Sequence, residues 1–177
     1  MNTWKLLARK KVFASRFVNV YEDRVELPNG KIIDDFTVVE KPSIVMIVAT
    51  DTNNNVLILN EYKHGAGAIL KTLPAGHKEK SETAVEAAAR EVAEETGYTG
   101  GEYEDLGVLY DYPSKDIHKV HVVRARNIAL TTLPQHEETE SIQFEVISPK
   151  DLKTQIRSGN WHAGSAIAAL TISGVLF

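Results

Sequence analysis

Apolar residues come in short, strand-length blocks through the first sixty positions and take on helical spacing only later in the chain. Val18, Val20 and Val25 lie in a strand-like run, and Pro28-Asn29-Gly30 is a strong turn signal. Ile32 to Val39 then resumes with β-branched and aromatic residues, which predicts a hairpin through Asn29-Gly30. Lys41-Pro42 breaks this pattern, because proline lacks a donor and pushes the residue before it extended. Ile44 to Ala49 and Val56 to Leu59 read as buried strands of a mixed sheet, separated by the polar turn Asp51 to Asn55. Leu73-Pro74-Ala75-Gly76 reads as a loop. A helix is predicted from about Glu82 to Thr96, capped by Ser81 and ended by a left-handed Gly97, with Ala84, Val85, Ala88, Ala89 and Val92 on its apolar side. Further strands are expected around Tyr103–Tyr110, Val120–Ala125 and Ile142–Ile147. Ser148-Pro149 opens a helix over Lys150–Ser158 that Gly159 ends, and a last helix runs from about Ala163. The order of elements predicts an α+β fold with helices packed on a mixed sheet.

A chain of 177 residues can bury one sizeable core, and 43% hydrophobic with 25% charged residues is ordinary globular composition. A net charge of -4 without any Lys/Arg cluster argues against a nucleic-acid partner. The absence of cysteine excludes disulfides, thiolate metal sites and a cysteine nucleophile, and fits a reducing cytoplasm, the expected location. Residues 1–20 mix five basic residues with scattered apolar ones and do not read as a secretory signal. Ala163 to Phe177 is apolar but too short to span a bilayer, so no membrane partner is expected.

The candidate chemistry sits in residues 76–98, which read G-x5-E-x7-R-E-V-x-E-E-x-G followed by Tyr98. On a helix, Glu91 and Glu95 fall one turn apart on the same face, with Glu94 beside them. Three acids so close repel each other and weaken a helix unless a cation joins them. Mg2+ prefers hard oxygen ligands and keeps several waters, so two or three carboxylates plus substrate phosphate suit it. Arg90 can orient one carboxylate through a bidentate bond. An acidic helix alone is usually only a solvated face. Here the full spacing has a chance probability on the order of one in a billion per start site, which decides against that reading.

With every fixed position filled, the run resembles the signature of the Nudix hydrolases. The resemblance implies an α/β/α sandwich with a mixed central sheet and hydrolysis of a nucleoside diphosphate linked to another moiety, using Mg2+ or Mn2+. Carried onto this chain, the ligands are Glu91 and Glu95, with Glu94 assisting and the Ala75 carbonyl contributing. Glu82 and Arg90 become orienting residues, Gly76 allows close backbone approach, and Gly97 ends the helix. Pro74-Ala75-Gly76 leading into the motif, and Pro113 fifteen residues after Tyr98, resemble the ADP-ribose pyrophosphatase branch. That implies an N-terminal antiparallel segment over residues 1–41, a catalytic domain over 42–177, and a homodimer in which the segment helps build the substrate pocket. The first-choice substrate is ADP-ribose. GDP-mannose or another NDP-sugar is the alternative in the same chemistry, and a non-catalytic nucleotide sensor is the alternative in another class.

Substrate contacts are expected at Lys63, His64 and Pro113. Three positions depart from the branch's habit: Tyr112-Pro113-Ser114 in place of Ser-Pro-Gly, Thr72 where glutamate is usual, and Lys63 after Glu61-Tyr62 where arginine is frequent. Related enzymes take a catalytic base from a loop before a late strand, here Gln135 to Glu140. Register to the strand favours Glu138 as the expected base, with Glu137 and Glu140 as the alternatives, and Glu140 is expected as a further metal ligand. Glu94 and Glu95 complete the expected catalytic set. His118 and His121 are poor partners for one metal, since residues three apart on a strand point to opposite faces.

Overall fold

Residues 44–51 alternate between two cores. Val45, Ile47 and Ala49 face one apolar cluster and Met46 and Val48 face the other, all of them buried. This period of two with apolar residues on both sides marks a strand covered on both faces. The computed structural model describes residues 2–135 and 141–177.

The elements run in order β1 (Lys5–Ala14), β2 (Asn19–Glu26), β3 (Ile32–Glu40), β4 (Ile44–Asp51), β5 (Val56–Lys63), a 3-10 turn (His64–Ala66), β6 (Ala68–Thr72), β7 (Ala75–His77), α1 (Ala84–Thr96), β8 (Tyr98–Thr99), β9 (Glu102–Leu109), β10 (Asp116–Ile117), β11 (Val120–Leu130), β12 (Ile142–Ile147), α2 (Pro149–Arg157) and α3 (Gly164–Ile172). They divide into two compact units, residues 1–43 with 110–119, and residues 44–109 with 120–177.

In the larger unit the sheet order is β12-β5-β4-β11-β8, with β6 on β5, β7 on β4 and β9 on β11. β4 and β11 are parallel and their other neighbours antiparallel, so the sheet is mixed. One face packs Val45, Ile47, Leu57, Val123 and Ala125 against Ala84, Ala87, Ala88 and Val92 of α1. The other packs Met46, Val48, Ile58, Val120 and Val122 against Leu152, Trp161, Ala166, Ala169 and Leu170 from α2, α3 and their connection. The result is the expected α/β/α sandwich. Between β4 and β5, Asp51 accepts from the backbone N–H of Asn53 and Asn55, both at 2.8 Å, and so closes the turn.

The smaller unit is a four-stranded sheet in the order β1-β2-β3-β10. The hairpin through Asn29-Gly30 forms, with Gly30 at φ +82°. Its polar network is specific: Arg9 donates to both Asp23 oxygens at 2.7 and 2.6 Å, and the Tyr21 hydroxyl donates to Glu40 at 2.6 Å. Those bonds hold the Glu40 carboxyl below its usual range and push the Tyr21 phenol up. β1 was not foreseen as a strand of its own. Its ten residues are all exposed, so its sequence carries no one-sided apolar pattern.

Two local expectations are corrected. Leu73 to Gly76 is not simply a loop: Ala75–His77 is a short strand, paired antiparallel with β4. The α1 cap is Thr83 rather than Ser81, and the buried stripe includes Ala87, whereas Val85 and Ala89 are half-buried. No helix among the described residues is long and apolar enough to cross a membrane.

Candidate active site

Thr83-Ala-Val-Glu86 is a capping box: Thr83 Oγ1 accepts from Glu86 N at 3.2 Å, and Glu86 Oε2 accepts from Thr83 N at 2.8 Å. These bonds satisfy two of the orphan donors at the helix start and hold the Glu86 carboxyl below its usual range. From there the buried stripe runs through Ala84, Ala87, Ala88 and Val92, and continues into Glu91, Glu95 and Thr96. Two positions of an apolar stripe are therefore occupied by acids. Glu91 is 9% exposed and Glu95 5%.

What those acids meet is the backbone of β7. Met46 pairs with Ala75 and Val45 with Gly76, and Pro74 O accepts from Ile47 N at 2.8 Å, so the sheet holds this strand in place. Ala75 N donates to Glu95 Oε2 at 3.1 Å. The Glu91 carboxylate fills the space a side chain would need at Gly76, so a Cβ there would force the carboxylate to move. Glycine leaves that carboxylate in place by its lack of a side chain and not by its backbone angles.

Arg90 organises the rest. Its Nη1 donates to Glu91 at 2.8 Å and to Glu94 at 3.0 Å, and its Nη2 to Glu82 at 2.9 Å and to His77 O at 3.1 Å. Arg90 thus spreads across three carboxylates, where the sequence suggested one bidentate partner. The guanidinium holds Glu82 below the usual carboxylate range, helped by Glu79 N at 2.8 Å, and the acids raise Arg90 in turn. Lys78 Nζ donates to the carbonyls of Glu79 (3.0 Å) and Glu82 (2.5 Å) and shapes the loop before the helix. Gly97 ends α1 at φ +74°, its N–H bonded to Ala93 O at 2.9 Å.

The predicted ligands therefore separate into two groups. Glu91, Glu95 and the Ala75–Gly76 backbone come together in a buried position, and Glu94 stands exposed on the outer side of Arg90. Among the described residues, no three His, Asp or Glu side chains converge into a ready-made metal set. Glu138 and Glu140 lie outside the described residues. Lys63 ends β5, 2.5 Å from Glu61, and the His64 ring lies 3.4 Å from the Tyr62 hydroxyl, both in the larger unit. Pro113 is exposed, in the segment that belongs to the smaller unit. His118 bonds Pro42 O through Nδ1 at 2.7 Å in that unit, whereas His121 lies in β11 of the other. The residues sequence reasoning passed over are Thr83, Glu86, Lys78 and the His77 carbonyl. The T-x-x-E spacing was available as a signal for the first two. The others depend on loop conformation alone.

A model described as the NUDIX domain matches residues 40–170, and one described as the nucleoside diphosphate sugar hydrolase N-terminal domain matches residues 4–39. The ADP-ribose pyrophosphatase of Bacillus subtilis is 27% identical over 153 residues, covering 86% of this chain and 81% of that protein. The ADP-ribose pyrophosphatase of Mycobacterium tuberculosis is 34% identical over 157 residues, covering 87% and 72%. A crystal structure described as ADP compounds hydrolase shares the fold, with a TM-score of 0.83 over 98% of this chain and 94% of that one, at 22% identity. The domain match spans well over half of the sequence and contains the whole cluster around Arg90, so this chain belongs to the Nudix hydrolase family.

Proposed function

We propose that this chain hydrolyses the pyrophosphate bond of a nucleoside diphosphate-linked compound with the help of a divalent cation, and that ADP-ribose, cut to AMP and ribose 5-phosphate, is its substrate. The observation that carries the reading is the convergence of the buried Glu91 and Glu95 carboxylates on the Ala75–Gly76 backbone. Burying charge is costly unless it is paired or coordinates a metal. Even with Arg90 and Lys78 counted, Glu82, Glu91, Glu94 and Glu95 leave the cluster net negative, an environment that concentrates cations.

Hard oxygen donors of this kind suit Mg2+, with Mn2+ as the alternative. Glu91, Glu94, Glu95 and the Ala75 carbonyl would hold it, with Glu140 assigned by sequence as a further ligand. When bound, such an ion neutralises the phosphate oxygens and polarises the attacking water. Arg90, by fastening Glu91 and Glu94 to one nitrogen, keeps like-charged groups side by side, so little reorganisation remains when substrate arrives. In the reaction the water oxygen bonds to one phosphorus and the bond from that phosphorus to the bridging oxygen breaks. Two phosphate monoesters leave, and Glu138, assigned by sequence, takes the water's proton. Lys63, His64 and Pro113 are assigned to the substrate.

ADP-ribose as the substrate is supported by the Bacillus and Mycobacterium relatives, both named as ADP-ribose pyrophosphatases. A homodimer built through the smaller unit is supported by β1, a ten-residue edge strand with no buried residue, flanked by exposed Trp4 and Phe17 and itself carrying exposed Leu6, Val12 and Phe13. Long exposed edge strands with apolar side chains are ordinarily covered. Light scattering that gives the mass of one chain at micromolar concentration would remove the dimer from this proposal.

The test is a substrate panel of ADP-ribose, GDP-mannose, a diadenosine polyphosphate, nucleoside triphosphates and NADH with Mg2+, read as nucleotide release, for the wild type and Glu95→Gln. Release from ADP-ribose that Glu95→Gln abolishes supports the assignment. Preferential release from GDP-mannose moves it to another NDP-sugar, and no release from any compound favours a nucleotide sensor.

A further inference from the structure

The last four carbonyls of an α-helix have no donor within the helix. At the end of α1 one of these carbonyls, that of Glu94, and the carbonyl of the capping Gly97 are met by a remote stretch of chain. After β11 ends at Leu130, Thr131 N and Thr132 N both donate to Gly97 O at 3.1 Å, and Gln135 N donates to Glu94 O at 2.7 Å. Side chains add to the joint. The Thr99 and Thr131 hydroxyls lie 2.7 Å apart, and fully buried Thr96 donates to Val92 O at 2.6 Å and accepts from Tyr98 N at 3.2 Å. Residues 131–135 are thus bonded to the turn that carries Glu94 and Glu95.

Gly97 is under two separate constraints. Its φ of +74° is left-handed, which glycine adopts freely and asparagine tolerates. Independently, a Cβ there would lie 2.2 Å from Thr132 O and 3.0 Å from Thr132 C, which are backbone atoms that cannot swing aside as a side-chain tip can. Gly100 has almost the same angle, φ +72°, but a Cβ on it would meet nothing within 4 Å. The two glycines therefore separate backbone strain from docking.

We propose that residues 131–135 form a positioning strap for the reaction: docked on Glu94 O and Gly97 O, they fix the last turn of the acidic helix, and position 97 is glycine because Thr132 occupies the place of its side chain. The strap rests on the reading of Glu94 and Glu95 as working acids. None of its residues touches the reacting atoms; they act through the helix end.

The experiment compares Gly97→Asn with Gly100→Asn in the full chain. Asparagine carries the same left-handed tolerance to both sites, and only position 97 adds the collision. Amide hydrogen exchange is read at Thr131, Thr132 and Gln135, and kcat and KM are measured for ADP-ribose with Mg2+. The expected result is loss of protection at those three amides in Gly97→Asn, with kcat down about 10²-fold and KM held, since misplacements of about 1 Å have that effect. Gly100→Asn keeps wild-type protection and kcat. Should Gly97→Asn not fold, Gln135→Pro removes the donor to Glu94 O and is expected to lower kcat with KM held. Wild-type protection at the three amides in Gly97→Asn overturns the docking, and lost protection with unchanged kcat overturns the positioning role. Activity retained in Glu95→Gln would instead sink the reading of the acids, a result the exchange measurement does not depend on.

Discussion

Gly76→Ala isolates one carboxylate. A Cβ on Gly76 would fall 2.0 Å from Glu91 Cδ, and real Cβ contacts stop at 3.0 Å, so the carboxylate must retreat by at least the difference, 1.0 Å. Gly76 is outside the left-handed region, so alanine adds no backbone strain there. What has to move is the tip of a flexible side chain. An off-rotamer glutamate costs about 0.5–1.5 kcal/mol, and leaving the 2.8 Å bond to Arg90, whose own side chain is part-exposed, costs about 1 kcal/mol more. Stability should therefore fall only modestly. Catalysis should fall further: a shift of about 1 Å in a group that holds the reacting centre lowers kcat about 10²-fold, equivalent to about 2.7 kcal/mol in the barrier. The assay is steady-state ADP-ribose hydrolysis at saturating Mg2+, alongside urea denaturation of the same preparation. A variant that keeps kcat within a few-fold of wild type refutes the placement of Glu91 against Gly76 as part of the catalytic geometry. A variant whose activity loss is matched by unfolding refutes the argument that the side chain absorbs the strain.

Three further outcomes are expected. Thr83→Ala removes one half of the capping box and should cost about 1 kcal/mol of stability in denaturant titrations, with KM unchanged. The Glu82 carboxyl is held below the ordinary glutamate value of 4.5 by its hydrogen bond with Arg90. The unfolded chain thus binds its proton more readily than the folded one, and the stabilisation is complete above that value and lost as pH falls through the folded pKa. The stability gap between wild type and Glu82→Gln should accordingly close below pH 4.5 and be full at neutral pH, and a gap that persists or widens in acid would show that Arg90 does not act through this charge. Chelation with EDTA should abolish turnover while the far-UV circular dichroism stays native, and added Mg2+ or Mn2+ should restore it; activity that survives exhaustive chelation removes the cation from the proposal.

The sequence by itself determined the parts of this protein whose information is local. Blocks of apolar residues marked β4 and β5, because a strand buried on both faces must be apolar along its length, and alternating or β-branched runs marked β11 and β12. Asn29-Gly30 marked the hairpin, and the spacing from Gly76 to Gly97 marked the acidic helix and its left-handed end. That spacing also put Glu91 and Glu95 on one face. It did not reveal that this face is the buried one, since the periodicity of the acids is the same whether the stripe points to water or to the sheet. Only the tertiary structure decided that β7 lies under them, because pairing with β4 joins residues some thirty positions apart. It likewise decided that Arg90 spans Glu82, Glu91, Glu94 and the His77 carbonyl, because the loop shaped by Lys78 sets which acceptors come within reach of the guanidinium. The strap of residues 131–135 had no local signature at all. Its bonds to Glu94 and Gly97 use backbone N–H groups, which every residue but proline carries, so no side-chain pattern announces them.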